Sequence, residues 1–268
     1  MKSWVTHFEW LPGPMKEVDQ LPKELSQTVV NSMRMVECFS DSEELGITEL
    51  AVAIGIGKTA TARLVSSLTE FGYLWQNPRT KKYRLGLKFM YWGSLVAERN
   101  EIVQLADPYL RALAREFQLT THLAIRENHA ALIVSKVTMG PMVYMDSRVG
   151  TTLPIHASAV GKCLIAFSQP VAQKEFLSCV ELLRFTEKTI VDKNQFWMEC
   201  QQVRQQGYAF DIEESNLGLS CLAVPLLDSR GRPIAAISTS GQTQFVLKNQ
   251  ASILDRLHQI QQELTPYL

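Results

Sequence analysis

Between Ser26 and Phe39 the apolar residues Val29, Val30, Met33, Val36 and Phe39 recur at three- and four-residue steps, which predicts a helix of about fourteen residues. The polar run from Asp41 to Glu44 ends it. A second, short helix is expected over TELAVAI, with Thr48 as its cap, Glu49 favourably placed at the positive end of the dipole and Gly55 as its stop. After the turn Gly55-Ile56-Gly57, KTATARLVSSLTEF reads as a third helix with Leu64, Leu68 and Phe71 on one stripe and Gly72 as its terminator. Two short segments, YLWQN and YRL, flank the turn PRTKK and predict a hairpin. Helix, tight turn, helix and hairpin together make a winged helix-turn-helix. The amphipathic segment LKFMYWGSLVAER follows as a connector. The next helical run, IVQLADPYLRALAREF, contains Pro108, which suits a first turn better than a helix interior, so a break is expected near Asp107.

From Thr121 the period changes to two. THLAIREN and AALIVSKVTM predict a hairpin around Asn128 and His129, and PMVYMDSR a further strand. In LPIHASAVGKCLIAF a proline-containing loop runs into an apolar helix near Ser158, where the amides of Ala159, Val160 and Gly161 make a candidate anion site. Two later strands each have one face of small, partly polar side chains. Cys221, Ala223 and Pro225 alternate with Leu222, Val224 and Leu226, and Ala236, Ser238 and Ser240 alternate with Ile237. The turn DSRGRP lets the two strands pair, which sets Cys221 beside the serines. In YAFDIEE, Ala209, Asp211 and Glu213 share a face, leaving Asp211 either in such a cavity or facing water. Alternating strands and helices give an α+β pattern.

A chain of 268 residues exceeds one ordinary domain and points to two. Lys plus Arg and Asp plus Glu both number 27, so only regional charge carries information. Lys58, Arg63, Arg79, Lys81, Lys82, Arg84 and Lys88 face one acid, Glu70, across the third helix and the wing, whereas the chain before Lys58 is acidic. That distribution is the electrostatic footprint of a DNA-binding face. The first 25 residues, with Pro12, Gly13, Pro14 and Pro22, read as a loosely ordered extension. No run of apolar residues suits a membrane span and the N-terminus lacks a secretory pattern, so a cytoplasmic protein is expected. Five scattered cysteines without a CxxC pair, and five histidines without ligand spacing, nominate no disulfide framework, no metal site and no cofactor.

Two rival chemistries compete with DNA binding. GIGKT ends like a phosphate-binding loop, but Val52 stands where the first glycine is needed and a helix, not a strand, precedes it. Catalysis by Cys221 or Ser238 needs a base; the candidate is His156, which reads more simply as a loop or core residue, and there is no GxSxG elbow. No enzymatic activity is expected.

The helix-turn-helix GITELAVAIGIGKTATARLVSSLTEFGYL, the wing KYRLGLKF, the motif LPIHASAVGKCLIAF and the stretch GYAFDIEESNLGLSCLAVPLLDSRGRPIAAISTSG together resemble the IclR family of bacterial transcription regulators, over nearly all of Ser26–Leu268. The resemblance implies an extension over 1–25, a winged helix-turn-helix domain over 26–86, a linker helix over 87–104 that helps dimerise the DNA-binding domains, and a GAF/PAS-like α/β effector-binding domain over 105–268. It implies a homodimer or homotetramer on double-stranded, palindromic operator DNA. Lys58, Thr59, Thr61 and Arg63 would face the major groove, with Arg79, Lys81 and Lys82 on the wing. This chain departs from the family pattern at Ala60 and Ala62, which affects the operator sequence read. The matching effector positions are Met145, Ala159, Val160, Asp211, Cys221, Ser238 and Ser240, and the implied ligand is a small organic acid. Val160, larger than in some relatives, narrows the mouth of that pocket. Repression of a catabolic operon relieved by an inducer is the expectation; activation, or a C-terminal domain that only oligomerises, are its alternatives.

Overall fold

A computed structural model describes residues 24–140 and 147–268. They form two compact units, residues 24–99 and 100–268. The division falls between Arg99 and Asn100, five residues before the boundary expected from the sequence.

In the first unit α1 (Gln27–Glu37), α2 (Ile47–Ile54) and α3 (Lys58–Glu70) precede a hairpin, β1 (Leu74–Gln76) with β2 (Tyr83–Leu85), and α4 (Lys88–Glu98) closes it. The hairpin is antiparallel, with Trp75 opposite Arg84, and Leu45 adds a bridge to Tyr83. Met35, Phe39, Leu50, Ile54, Val65 and Leu74 make the core. This corrects the stripe expected on α1 and the end of that on α3, whose Leu64 and Leu68 do pack, partly buried, against this core. On α1 the buried positions are Asn31 and Met35, with Val29 and Met33 each 55% exposed; on α3 they are Thr61 and Val65, with Phe71 exposed. α1 is apolar on more than one side, so spacing alone does not say which side meets the core. Gly46, not Thr48, begins α2: lacking a capping side chain, its N–H donates to Glu49 Oε2, which reaches back at 2.6 Å. Gly55 takes φ +74° between α2 and α3, the left-handed turn that only glycine adopts cheaply.

The second unit begins with α5 (Glu101–Phe117), which continues unbroken through Pro108. The break expected near Asp107 does not occur. Val103, Ala106, Leu110, Leu113 and Ala114 bury one stripe on both sides of the proline, and that packing outweighs the hydrogen bond a proline cannot donate. Among the described residues six strands form one antiparallel sheet: β3 (Thr120–Glu127), β4 (Ala130–Thr138), β5 (Thr152–Pro154), β6 (Ala209–Ile212), β7 (Leu219–Leu227) and β8 (Pro233–Gln242), in the order β5-β4-β3-β8-β7-β6. Of the strand expected over PMVYMDSR, residues 141–146 lie outside the described residues, and Ser147 and Arg148 are not in a strand.

The sheet has two unlike faces. Leu123, Leu222, Val224, Leu226 and Ile237 pack against α5 and α10 (Gln250–Leu264), whose Ile253, Leu257, Ile260 and Leu264 recur at helical spacing. On the other face Ala124, Ala209, Ala223 and Ala236 lie under α6 (Ala159–Ala166), α7 (Pro170–Cys179) and α8 (Lys193–Gln206), with Cys163, Leu164, Phe176, Phe196 and Val203 filling the layer. A short α9 (Thr243–Lys248) leads into α10. No helix of the described residues is long and apolar enough to cross a membrane.

Candidate DNA interface and ligand site

The exposed side of α3 carries Lys58, Thr59, Ala60 and Arg63, followed by Ser66 and Ser67. Thr61 is not among them. It is fully buried, and its hydroxyl donates to the Gly57 carbonyl at 3.2 Å, so it holds the helix start instead of meeting DNA. Arg79 and Lys81 stand exposed in the turn between β1 and β2. That turn is fixed from within: Asn77 Oδ1 accepts from the Arg79 amide at 2.9 Å, while Asn77 Nδ2 and Thr80 Oγ1 donate to the two Glu44 oxygens at 2.7 and 2.9 Å. Lys82 pairs with Glu49 at 2.9 Å, both side chains remaining nearly half exposed, and links the wing to the start of α2. The Gly46 amide and then Lys82 hold the Glu49 carboxyl below its ordinary pKa. Arg84, missing from the expected contacts, lies 4.3 Å over the Trp75 ring. Its alternation with Lys82 along the strand was the available signal.

Beside this surface the unit leaves apolar area open. Leu25, Val29 and Met33 at α1, and Leu87, Met90, Tyr91 and Val96 at α4, are each about half exposed or more. Trp92 Nε1 donates to the Tyr73 hydroxyl at 2.9 Å, and Phe89 meets the same ring edge-on. These two contacts seat α4 on the hairpin.

In the second unit strand register brings the expected ligand residues together. Asp211 pairs with Cys221, Cys221 with Ser240, and Ala223 with Ser238, so all lie on the small-residue face under α6. Cys221 Sγ and Ser240 Oγ are 2.7 Å apart. Burial and the nearby Asp211 charge push the Cys221 thiol well above its ordinary pKa, which keeps it a neutral thiol. Asp211 is 1% exposed, and its oxygens accept from the Glu214 amide at 2.8 Å and the Ser215 hydroxyl at 2.6 Å. It therefore clasps the turn after β6 while bordering the face. Ala159 and Val160 open α6, both buried. Ser158 caps the helix by accepting from the Gly161 amide at 3.2 Å, so two first-turn amides, those of Ala159 and Val160, lack an intrahelical acceptor, not three. Met145 lies outside the described residues.

The same face extends to residues the sequence reading passed over. His122 pairs with Ser238 on one side and Lys136 on the other; its Nε2 lies 3.0 Å from Ser147 Oγ, and Lys136 Nζ donates to the Ser147 carbonyl at 2.5 Å. Burial, with the Lys136 charge adding to it, lowers the His122 pKa to about 3, so the ring is neutral. The alternation of Thr120, His122 and Ala124 against Thr121 and Leu123 carried this information. Behind Asp211, Lys162 is buried and donates to Glu214 at 2.5 Å, Glu199 at 3.0 Å and the Phe210 carbonyl at 3.0 Å. Burial opposes its charge, but the two carboxylates outweigh that and raise its pKa. Glu214 is raised to about 7 by burial, against the pull of Lys162. His156, the candidate base for catalysis, donates its Nε2–H to the Leu183 carbonyl at 2.8 Å and stacks on Phe185. It is a satisfied core histidine. Among the described residues no group of three or more His, Cys, Asp or Glu is arranged to hold a metal ion.

Comparison with known proteins identifies two family matches, the IclR helix-turn-helix domain over residues 28–78 and the C-terminal domain of bacterial IclR transcriptional regulators over residues 94–265. The chain is 33% identical over 237 residues to the HTH-type transcriptional regulator XynR of Escherichia coli (strain K12), covering 88% of this chain and 93% of that protein. It is 29% identical to the transcriptional repressor IclR of the same organism, over 80% of each chain. Among solved structures, Thermotoga maritima IclR matches with a TM-score of 0.74 at 25% identity, over 88% of this chain and 98% of that one. An IclR homolog from Microbacterium hydrocarbonoxydans, solved in complex with 4-hydroxybenzoate, shares the fold with a TM-score of 0.76 at 22% identity, over 87% and 95% of the chains. These relatives are transcription regulators, not enzymes.

Proposed function

Because the chain belongs to the IclR family of bacterial transcription regulators and is a DNA-binding regulator, we propose that it represses a catabolic operon and releases DNA when a small organic acid occupies the small-residue face of its second unit. The observation that supports this reading is the strand register that sets Ser238, Ser240 and Cys221 on one face of the sheet, the face against which α6 packs. Hydroxyls and unbonded helix amides suit a carboxylate better than any cation. The fold also admits such a ligand, since the homolog of the same fold from Microbacterium hydrocarbonoxydans was solved with 4-hydroxybenzoate.

A homodimer, or a dimer of dimers, places two α3 helices about 34–36 Å apart, one turn of DNA, and so reads a palindromic site. The exposed apolar residues of α1 and α4 supply the surface for that pairing. Effector binding then shifts the equilibrium between DNA-competent and incompetent placements of the linker, a coupling of typically about 1–3 kcal/mol.

Capturing sheared genomic DNA with the full-length protein, with and without a panel of small carboxylic acids, tests the proposal. A shared inverted repeat released by one acid is the expected result. Ser238→Ala with Ser240→Ala should retain the repeat and lose the release. An acid response that survives both substitutions moves the ligand elsewhere, and acid-strengthened binding makes the protein an activator or co-repressed regulator instead.

A further inference from the structure

A concavity lies in the second unit, at the C-terminal end of α6. Its volume is about 240 Å³, and it is lined by Phe167, Ser168, Gln169, Pro170, Arg204, Arg230, Gly231 and Arg232. Three of these residues are arginines and none is acidic. Arg230 and Arg232 sit in the tight loop between β7 and β8, and that loop is held in place by one acid: Asp228 Oδ1 accepts the amides of Arg230 and Arg232, each at 2.9 Å, and Asp228 Oδ2 accepts from Arg232 Nε at 2.7 Å. Arg232 is thereby neutralised and oriented, whereas Asp228 leaves the Arg230 guanidinium out of this pairing. From the opposite wall Arg204 on α8 reaches the Ala166 carbonyl at 3.4 Å. The third wall is the start of the ten-residue α7, where Gln169 is the cap, Pro170 the first residue, and no side chain caps the helix. Ser168, beside it, accepts from a further guanidinium, Arg126, at 3.3 Å.

We propose that this cavity is a second ligand site, separate from the acid-binding face, for a small phosphate-bearing anion. Fork-shaped guanidiniums on two walls match the oxygens of a phosphoryl group, and the positive end of the α7 dipole favours its charge. The volume falls below the roughly 300–1,000 Å³ of sites for drug-sized ligands, which sets the occupant at inorganic phosphate or pyrophosphate size. Lying between α7, α8 and the β7–β8 loop, a bound anion bridges the helical layer to the sheet and stabilises the unit.

Calorimetric titration of the full-length protein with inorganic pyrophosphate and with phosphate, at constant ionic strength set with chloride, tests this. Saturable binding is expected. Replacing two exposed arginines, Arg204→Gln with Arg230→Gln, should weaken it at least about tenfold, the loss expected for charged hydrogen bonds. Should the double variant melt earlier, Arg230→Gln alone repeats the measurement. No saturable binding to the native protein, or equal binding to the variant, overturns the proposal. Operator DNA titrated in parallel separates the alternative: if the variant loses DNA affinity and the native protein ignores pyrophosphate, the arginines face DNA phosphates and the small-anion site is wrong.

Discussion

Thr61 and Arg63 stand two residues apart on α3 and so point about 200° away from each other around the helix. One is in the core and the other in solvent. Replacing Arg63 with Ala should lower operator affinity by about 1–3 kcal/mol and flatten its salt dependence, with the melting temperature unchanged. Replacing Thr61 with Val should do the reverse, costing about 1 kcal/mol of stability through the hydrogen bond to Gly57 while leaving operator affinity intact. Titrating both variants against a labelled operator distinguishes the roles, and weaker DNA binding by Thr61→Val with unaltered stability would return that residue to the interface. His122 makes a pH prediction. Its folded pKa of about 3 lies below the ordinary 6.5, so the unfolded chain binds a proton that the folded chain refuses between those values. Stability from this residue is complete above pH 6.5 and falls as pH drops through that window, by up to about 1.4 kcal/mol per unit. Glu214, raised to about 7, works with the opposite sign as pH rises above its ordinary value, so the native protein alone does not isolate the effect. Chemical denaturation of native protein and His122→Gln at pH 7 and pH 5 does. The advantage of the native protein should shrink at the lower pH.

At the scale of elements, close approach matters more than propensity. Gly161 is the third residue of α6, and a Cβ there would meet Ile155 Cα at 2.5 Å and the Ile155 carbonyl oxygen at 2.6 Å. Gly161→Ala should therefore destabilise the second unit by about 1–3 kcal/mol and displace the Ala159 and Val160 amides. Thermal melts, with acid-dependent stabilisation as a second readout, check this. An unchanged melt would mean that the turn before α6 yields easily. The elements themselves were largely legible: the three helices and hairpin of the first unit, and the period-two alternation of β3, β4, β7 and β8, are written in the residue spacing. Capping and continuity were less so. Gly46 starts α2 because Glu49 reaches back to it, and α5 passes through Pro108 because its stripe is buried on both sides. Both outcomes depend on partners distant from the local pattern.

For the whole molecule, the pairing proposed through the exposed apolar residues on α1 and α4 would tie DNA binding to assembly. Met90→Glu with Val96→Glu, both at strongly exposed positions, should leave the chain folded and lower dimer affinity. Operator binding should weaken with it, since one recognition helix makes half the phosphate contacts and about half the salt slope. Analytical ultracentrifugation beside a salt-dependent operator titration reads both quantities, and an unchanged dimer would place the partner surface elsewhere. The sequence by itself determined the winged helix-turn-helix, the basic third helix and wing, and the small faces of β7 and β8, because each rests on local spacing and strand alternation. Tertiary structure alone decided which side of α1 is core, that Lys82 pairs with Glu49, and that His122, Lys136 and Ser147 continue the face of Ser238. Those outcomes follow from strand register and burial, which join residues far apart in the chain and set the cost of leaving a charge or a polar group unpaired.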